Sequence, residues 1–518
     1  MNADNVFHNL VESAVIRSLA SIDNNGASNS KGLLDRRFWA WSMSDIPNLQ
    51  LQGQTHGWMR LWAAGRWPFQ TDESHFRNRV QVAIEAIRNF VNSDGSIDQV
   101  FRHERSWAAT AFLAYDLLHV GQLADDLNFP EIHSTACEVA EPLVRFLTKS
   151  RESHATISNH IACGAAVHSL WSQLMSDTAA ETLARAMLDI TMSKRSSEGW
   201  FPEYSGADPG YQTQALMYLS DIASRHPTLL GPDDLAKTID FLAYFVAPDG
   251  SIGGNYGSRA TRFYFPSGLE LLGRVSPSAR ALAHKLRIGV QCRRTVTLES
   301  IDVDNFTQMF NSYCWAASIL DDCANEGKPI RQSETASFPR TKMFPEAGLI
   351  VYEEADCYTV ISSAKGGLVH HYLDGSLKKT DDGVLFQARD GQLYSTQGLN
   401  PSNKVRLSAN AIYVESQFSK MESGPPGPLA HWLMRGFALS LFRIPYLTEK
   451  FKKFVVRRVA QPNRFQGKNV RVIHLGRNLE ISDDSKVPSS WTKRQESVFF
   501  HVRMASRGYW QTSDEELF

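Results

Sequence analysis

The stretch EGWFPEYSGADPGYQ, Glu198 to Gln212, strings carboxylates, two phenols and a Pro-Gly turn directly ahead of an apolar helical pattern. Those are the parts of a polar binding cleft. Two other segments carry the same punctuation, DGSIDQVFRHERSW from Asp94 and DGSIGGNYGSRATRFYF from Asp249. Each sets a Gly-containing turn and a polar, aromatic-rich loop before a helix. Asp94 to Glu198 spans 104 residues and Glu198 to Asp249 spans 51, so one period of about 52 fits if an unmarked copy falls near Lys149. There stands SRESHATISNHIACGAAVHSLW, again a polar loop running into a helix.

A unit of two helices and one long loop cannot bury its apolar faces alone, so neighbouring copies must stack and their loops gather on one rim. Between the loops, HFRNRVQVAIEAIRNFV from His75, EVAEPLVRFLTK from Glu138, AETLARAMLDITM from Ala180 and DLAKTIDFLAYFV from Asp234 space apolar residues at three and four, the helical period. The reading is a toroid of helical hairpins over 53–324, preceded by a helical lead-in over 1–52. A polar linker, 325–342, follows. Beyond it AGLIVYEE, CYTVISSA, VRLSANAIYVESQ, KNVRVIHLG and SVFFHVRM alternate or favour β-branched residues between Gly, Asp and Asn turns, the mark of antiparallel strands over 343–518. Helices first and strands second imply two domains meeting at an interface.

Composition excludes several classes. With 54 basic and 55 acidic residues the chain offers no overall nucleic-acid surface. No run of 18 apolar residues suggests a spanning helix. The start, MNADNVFHNLVESAVIRSLASIDNNG, lacks a basic, apolar, small-residue leader. The expectation is a cytoplasmic location, or a periplasmic one if a leader has been removed. Six cysteines without CxxC spacing read as reduced structural thiols.

Asn159 and His160 lie where a loop enters the helix of the unmarked repeat, and Tyr211 lies at the equivalent entrance of the next. In the strand half, KGGLVHHYLDGSLKKTDDG brings His370, His371 and Asp374 together near a turn. A helical rim bearing an amide and a phenol, opposed by an imidazole from a second domain, suits a long polar ligand. Asn at such a place also caps helices, and an aromatic after Pro-Gly also packs on the next hairpin.

EYSGADPGYQTQAL resembles the segment of the heparinase II/III-like polysaccharide lyases in which a Glu precedes a Tyr that opens a helix. Asn159-His160 resembles their Asn-His motif, HHYLD with the later DGQLYSTQG resembles the HxHxD segment of their β domain, and SDIPNLQLQGQTHGWMRLW, which holds His56, resembles their N-terminal segment. The resemblance spans nearly the whole chain. It implies an incomplete (α/α) toroid followed by an antiparallel β-sandwich, acting on an acidic, uronate-containing glycan by β-elimination. Removing the proton beside an ionised carboxylate is difficult, so donors must neutralise that charge and stabilise the enolate-like intermediate. The resemblance gives that task to Asn159 with His160, makes Tyr211 the acid and also a candidate base, and makes His370 the other proton-transfer group. His56, Glu104, Arg105, Glu203 and Arg259 are the expected substrate contacts. Solvated loop charges or interdomain salt bridges are the plainer account of those five.

The pattern departs from the family at Tyr372, where relatives carry a second His that in some serves a structural zinc; a neutral phenol is a poor zinc ligand, and no cofactor is expected. Gln212 replaces a His that often follows the Tyr. One stretch, HWLMRGFALSLFRIPYLTEKFKKFVVRRVAQPNRF, 431–465, interrupts the strands with a basic amphipathic helix pattern. It reads as a peripheral contact with the inner face of a membrane, as an interdomain or dimer element, or as a grip on an anionic polymer. Alternatives to a lyase are a uronate epimerase, which begins with the same proton abstraction, and a catalytically silent glycan-binding or assembly protein of an exopolysaccharide pathway.

Overall fold

The computed structural model describes residues 6–42, 44–152, 157–204, 206–320, 339–408, 410–421, 427–460 and 465–494, with 456–460 as backbone only. Helices come first: α1 (Val6–Leu19), α2 (Arg36–Trp39), α3 (Gln54–Ala63), α4 (Glu73–Glu85), α5 (Trp107–Asp126), α6 (Pro130–Lys149), α7 (Ser158–Met175), α8 (Thr178–Ser193), α9 (Pro209–Arg225), α10 (Ala236–Ala243), α11 (Pro266–Leu272), α12 (Pro277–Gln291) and α13 (Val303–Ile319). The starts of α5, α7 and α9 are 51 residues apart, as the repeat requires.

Helices α3, α5, α7, α9, α11 and α13 pack on one another in that order, and α13 returns to α3. This is the inner ring. Helix α6 covers α5, α8 covers α7, α12 covers α11, and α1 covers α13. Burial explains who sits where: α5 buries Trp107 and fifteen more of its 20 residues, whereas α6 buries nine of 20 along one stripe, the difference between a helix packed all round and an amphipathic one. The outer layer is incomplete at α10, only eight residues long.

The strand half fills that gap. Strands β1 (Arg340–Phe344), β2 (Leu349–Glu354), β3 (Cys357–Ser362), β4 (Leu368–Leu373) and β5 (Ser376–Asp381) form an antiparallel meander. Strands β6 (Leu385–Gln387), β7 (Leu393–Ser395), β8 (Lys404–Leu407), β9 (Ala411–Lys420), β10 (Phe465–His474), β11 (Glu480–Lys486) and β12 (Thr492–Lys493) form a second sheet ordered β11-β10-β9-β7-β6-β12, with β8 also on β9. One face of the meander, Leu349, Val351, Val360, Leu368 and Tyr372, packs on Phe241, Phe245 and Tyr256 of the toroid. Its other face, Ile350, Ile361 and Val369, packs on Ile412, Val414 and Ile473 of the second sheet. Strands β2, β3 and β4 are therefore the middle layer, buried on both faces. The protein is an (α/α) toroid of hairpins followed by an antiparallel β-sandwich.

Between β9 and β10 the chain leaves the sheet as α14 (Pro428–Leu439) and α15 (Pro445–Ala460). Pro445 splits the basic stretch and opens α15, where its missing N–H costs nothing. Most of the expected linker, Cys323 and the strand pattern from Ser497 lie outside the described residues.

Candidate active site

The opening motif builds its own corner of the rim. Asp208 caps α9, its Oδ1 accepting from Tyr211 N at 3.0 Å and Pro209 taking the first helical position, a standard helix start. The same carboxylate accepts from Arg259 N at 2.9 Å and Thr261 Oγ1 at 2.6 Å, so it ties the next repeat's loop to this helix. Gly210 permits the approach: a Cβ there would stand 2.5 Å from Thr261 Oγ1. As a result the Arg259 guanidinium lies 3.8 Å from the centroid of the Tyr211 ring and 4.9 Å from that of Tyr204.

The neighbouring repeat supplies the other wall. Asn159, in the first turn of α7 and not at its cap, donates from Nδ2 to Glu203 Oε1 at 2.9 Å, while its backbone N–H donates to the same oxygen at 3.2 Å. Asn159 Oδ1 has no hydrogen-bond partner among the described residues. Glu203 is buried and its Oε2 lies 3.6 Å from Arg259 Nη1, an ion pair beyond hydrogen-bond reach. His160 Nδ1 is 2.8 Å from Glu152 Oε1, a contact that orients the imidazole ring.

These groups border one cavity of about 440 Å³ whose lining includes Glu104, Glu152, Asn159, His160, Tyr204, Tyr211 and Arg259, closed on one side by Phe451, Lys452 and Val455 of α15. Burial pushes the Tyr211 phenol up to about 12, with Arg259 the strongest opposing influence. Burial also holds the Glu203 carboxyl above the usual carboxylate range, again against Arg259. Arg259 itself loses hydration, yet Tyr211, Tyr204 and Glu203 raise it and keep it charged.

Four expected site residues do not line the cavity: Glu203 is buried behind Asn159 and Arg259, and three others stand elsewhere. His370 is fully buried on β4, edge-on to Tyr256 with ring centroids 5.2 Å apart and packed against Gly254; it does not line the cavity, and neither ring nitrogen has a hydrogen-bond partner among the described residues. The meander packs on α10 and on the back of the loop ahead of α11, through Tyr256 and Gly254, so His370 stands behind the loop that carries Arg259 and does not enter the cavity. His56 belongs to the ring core. Its Nδ1 donates to Asp116 Oδ1 at 2.9 Å and its Nε2 accepts from Arg60 Nε at 3.1 Å, while the same guanidinium donates to His119 Nδ1 at 2.9 Å. The two imidazoles stack at 4.5 Å. Arg105 pairs with Asp94 at 3.0 Å and donates to the carbonyls of Phe442 and Arg443, clamping the α14–α15 excursion onto the toroid. Glu104 does reach the cavity, though its Oε2 accepts from Gln99 N and Val100 N.

His371 faces away from His370, with Nδ1 2.8 Å from Thr359 Oγ1, and Tyr372 OH is 3.4 Å from Ser251 Oγ. These side chains diverge, and among the described residues no group of three or more His, Cys, Asp or Glu could hold a metal. They do not fit a structural zinc. Sequence reasoning missed Glu152 and Tyr204 as lining groups, although both stand inside the quoted loops. It also missed the wall from α15, whose position no local pattern signals.

No protein-family model and no curated protein matches the chain. Among solved structures it is similar to the chondroitin AC lyase of Streptomyces coelicolor A3 in complex with chondroitin sulphate, at 12% identity and a TM-score of 0.44 over 80% of this chain and 71% of that one. It is similar to a heparinase III at 11% identity and a TM-score of 0.44, over 92% and 70%, and to a glycosidase at 12% identity and a TM-score of 0.38, over 61% and 96%.

Proposed function

We propose that the protein is a polysaccharide lyase that cleaves an acidic, uronate-containing glycan by β-elimination in the rim cavity. The observation that carries this reading is the stacking of Arg259 on Tyr211 beside Asn159 and His160 in one lined space. The Arg259 guanidinium, with the one Asn159 amide N–H that Glu203 does not take, opposes the charge of a uronate carboxylate, which makes the neighbouring carbon acid easier to ionise. His160, oriented by Glu152, takes that proton on Nε2. Tyr211, protonated at neutral pH because burial pushes its phenol up to about 12, gives its proton to the departing glycosidic oxygen. His160 thus takes the part that the family resemblance assigns to His370.

Ultraviolet absorbance of the unsaturated uronate, followed while the chain is incubated with a panel of uronate polymers, tests the proposal. A rising signal with one of them is the expected result. Solvent deuterium incorporated without chain cleavage would make the protein an epimerase, and binding with neither signal would make it a silent glycan-binding protein; either result overturns the lyase.

A further inference from the structure

The excursion between β9 and β10 is anchored to the helical half by few groups: an Arg435–Asp45 ion pair at 3.0 Å on α14, and contacts of the turn and of α15. Phe442 is buried against Phe101 and Phe451, with centroids 5.2 and 4.9 Å away. Arg105 holds its turn through the carbonyls of Phe442 and Arg443, and Lys452 Nζ donates to the Glu104 carbonyl at 3.1 Å. The rest of its surface is open. Leu429 is 70% exposed, Trp432 72%, Ile444 53%, Tyr446 63% and Phe454 59%. Helix α14 stands almost free: Ala438 is its one buried residue. Exposed apolar residues this dense mark a contact surface on a water-soluble fold.

Charge says what covers it. Over 427–460 the chain carries seven Lys and Arg against one acidic residue, Glu449, although the protein as a whole is balanced. Lys450, Lys453 and Arg443 are exposed beside the apolar groups, whereas Arg435 pairs with Asp45. A second copy docked face to face would bring two like-charged surfaces together. Trp432 and Tyr446 are the residue types that settle at the level of lipid headgroups. No helix among the described residues is long and apolar enough to cross a membrane, so the hairpin can lie in a bilayer surface but not span it.

We propose that the α14–α15 hairpin docks the protein on an anionic lipid bilayer, with Leu429, Trp432 and Phe437 entering the headgroup boundary and the Lys and Arg side chains meeting lipid phosphates. Because α15 also walls the cavity through Phe451, Lys452 and Val455, docking sets the cavity close to the lipid surface. The proposal does not depend on the chemistry performed in the cavity.

Flotation of the full chain with vesicles of phosphatidylcholine alone, and of phosphatidylcholine with phosphatidylglycerol in equal parts, tests it. The expected result is flotation with the anionic vesicles, lost at high salt, and little with the neutral ones. Leu429→Ser/Trp432→Ser/Phe437→Ser should weaken vesicle binding about tenfold or more, and Lys450→Gln/Lys453→Gln should weaken binding to anionic vesicles selectively. Unfolding midpoints of both variants should match the parent, since these side chains are exposed. Failure of the parent to float, equal flotation of the apolar triple variant, or a dimer in light scattering that the triple variant dissolves without any vesicle binding would each overturn the proposal.

Discussion

His119 gives the sharpest test of the ring core that His56 joins. Both imidazoles sit among α3, α5 and α9, and the single Arg60 guanidinium donates to Nε2 of one and Nδ1 of the other. A nitrogen that accepts cannot also carry a proton, so both rings are neutral in the fold. Burial accordingly holds His119 down to about 4 and His56 well below the ordinary range. An unfolded histidine takes its proton near 6.5. A depressed folded value means that stability is fully present above about 6.5 and is lost as the pH falls toward about 4. At about pH 5 the loss from His119 alone works out to about 2 kcal/mol, rising to about 3.5 kcal/mol below its folded value. The perturbation is His119→Gln, which cannot titrate. Unfolding of parent and variant by urea, followed by tryptophan fluorescence at about pH 7.5 and about pH 5, measures the difference. The variant starts less stable, because Arg60 and Asp221 lose a partner, but its acid sensitivity should be smaller by about 2 kcal/mol. Equal sensitivity in the two proteins would refute the neutral assignment and reopen His56 to a role outside the core.

Three other outcomes follow from the same geometry. Arg259→Met leaves Glu203 buried without its cation and should cost about 3–5 kcal/mol; adding Glu203→Gln should recover part of it in a double-mutant cycle of unfolding midpoints. His370→Leu removes two unsatisfied ring nitrogens, so stability should stay within about 1 kcal/mol of the parent or rise, and any turnover in the cavity should be unchanged by initial-rate assay. Gly210→Ala drives a methyl toward Thr261 Oγ1 and should destabilise by about 1–3 kcal/mol in the same unfolding assay.

Much of the architecture is legible in the chain because the repeat is punctuated. The Gly turns and polar loops at Asp94, Lys149, Glu198 and Asp249 announce where α5, α7, α9 and α11 begin, and spacing at three and four separates helices from the alternating strands. Which helices close the ring is not legible, since the contact of α1 and α3 with α13 joins segments hundreds of residues apart. The site divides in the same way. Asn159 and Tyr211 converge because they occupy matching places in the first turns of α7 and α9, which sequence spacing can encode, and Arg259 joins them from the loop ahead of α11. His370 could not be placed by parity: β4 is buried on both faces, so alternation selects no side that meets a cleft. His56 misleads for a related reason, as a polar residue on an inner helix can be satisfied wholly within a ring of polar partners.

The phenol beside Arg259 is the group on which the elimination depends most directly. On whichever uronate polymer yields the unsaturated product, Tyr211→Phe removes one hydroxyl and leaves the ring under the guanidinium. The predicted result is a fall in kcat/KM of at least about a hundredfold, with binding of the polymer preserved. Turnover within a few-fold of the parent would contradict proton donation by Tyr211 and with it the elimination chemistry assigned to the cavity.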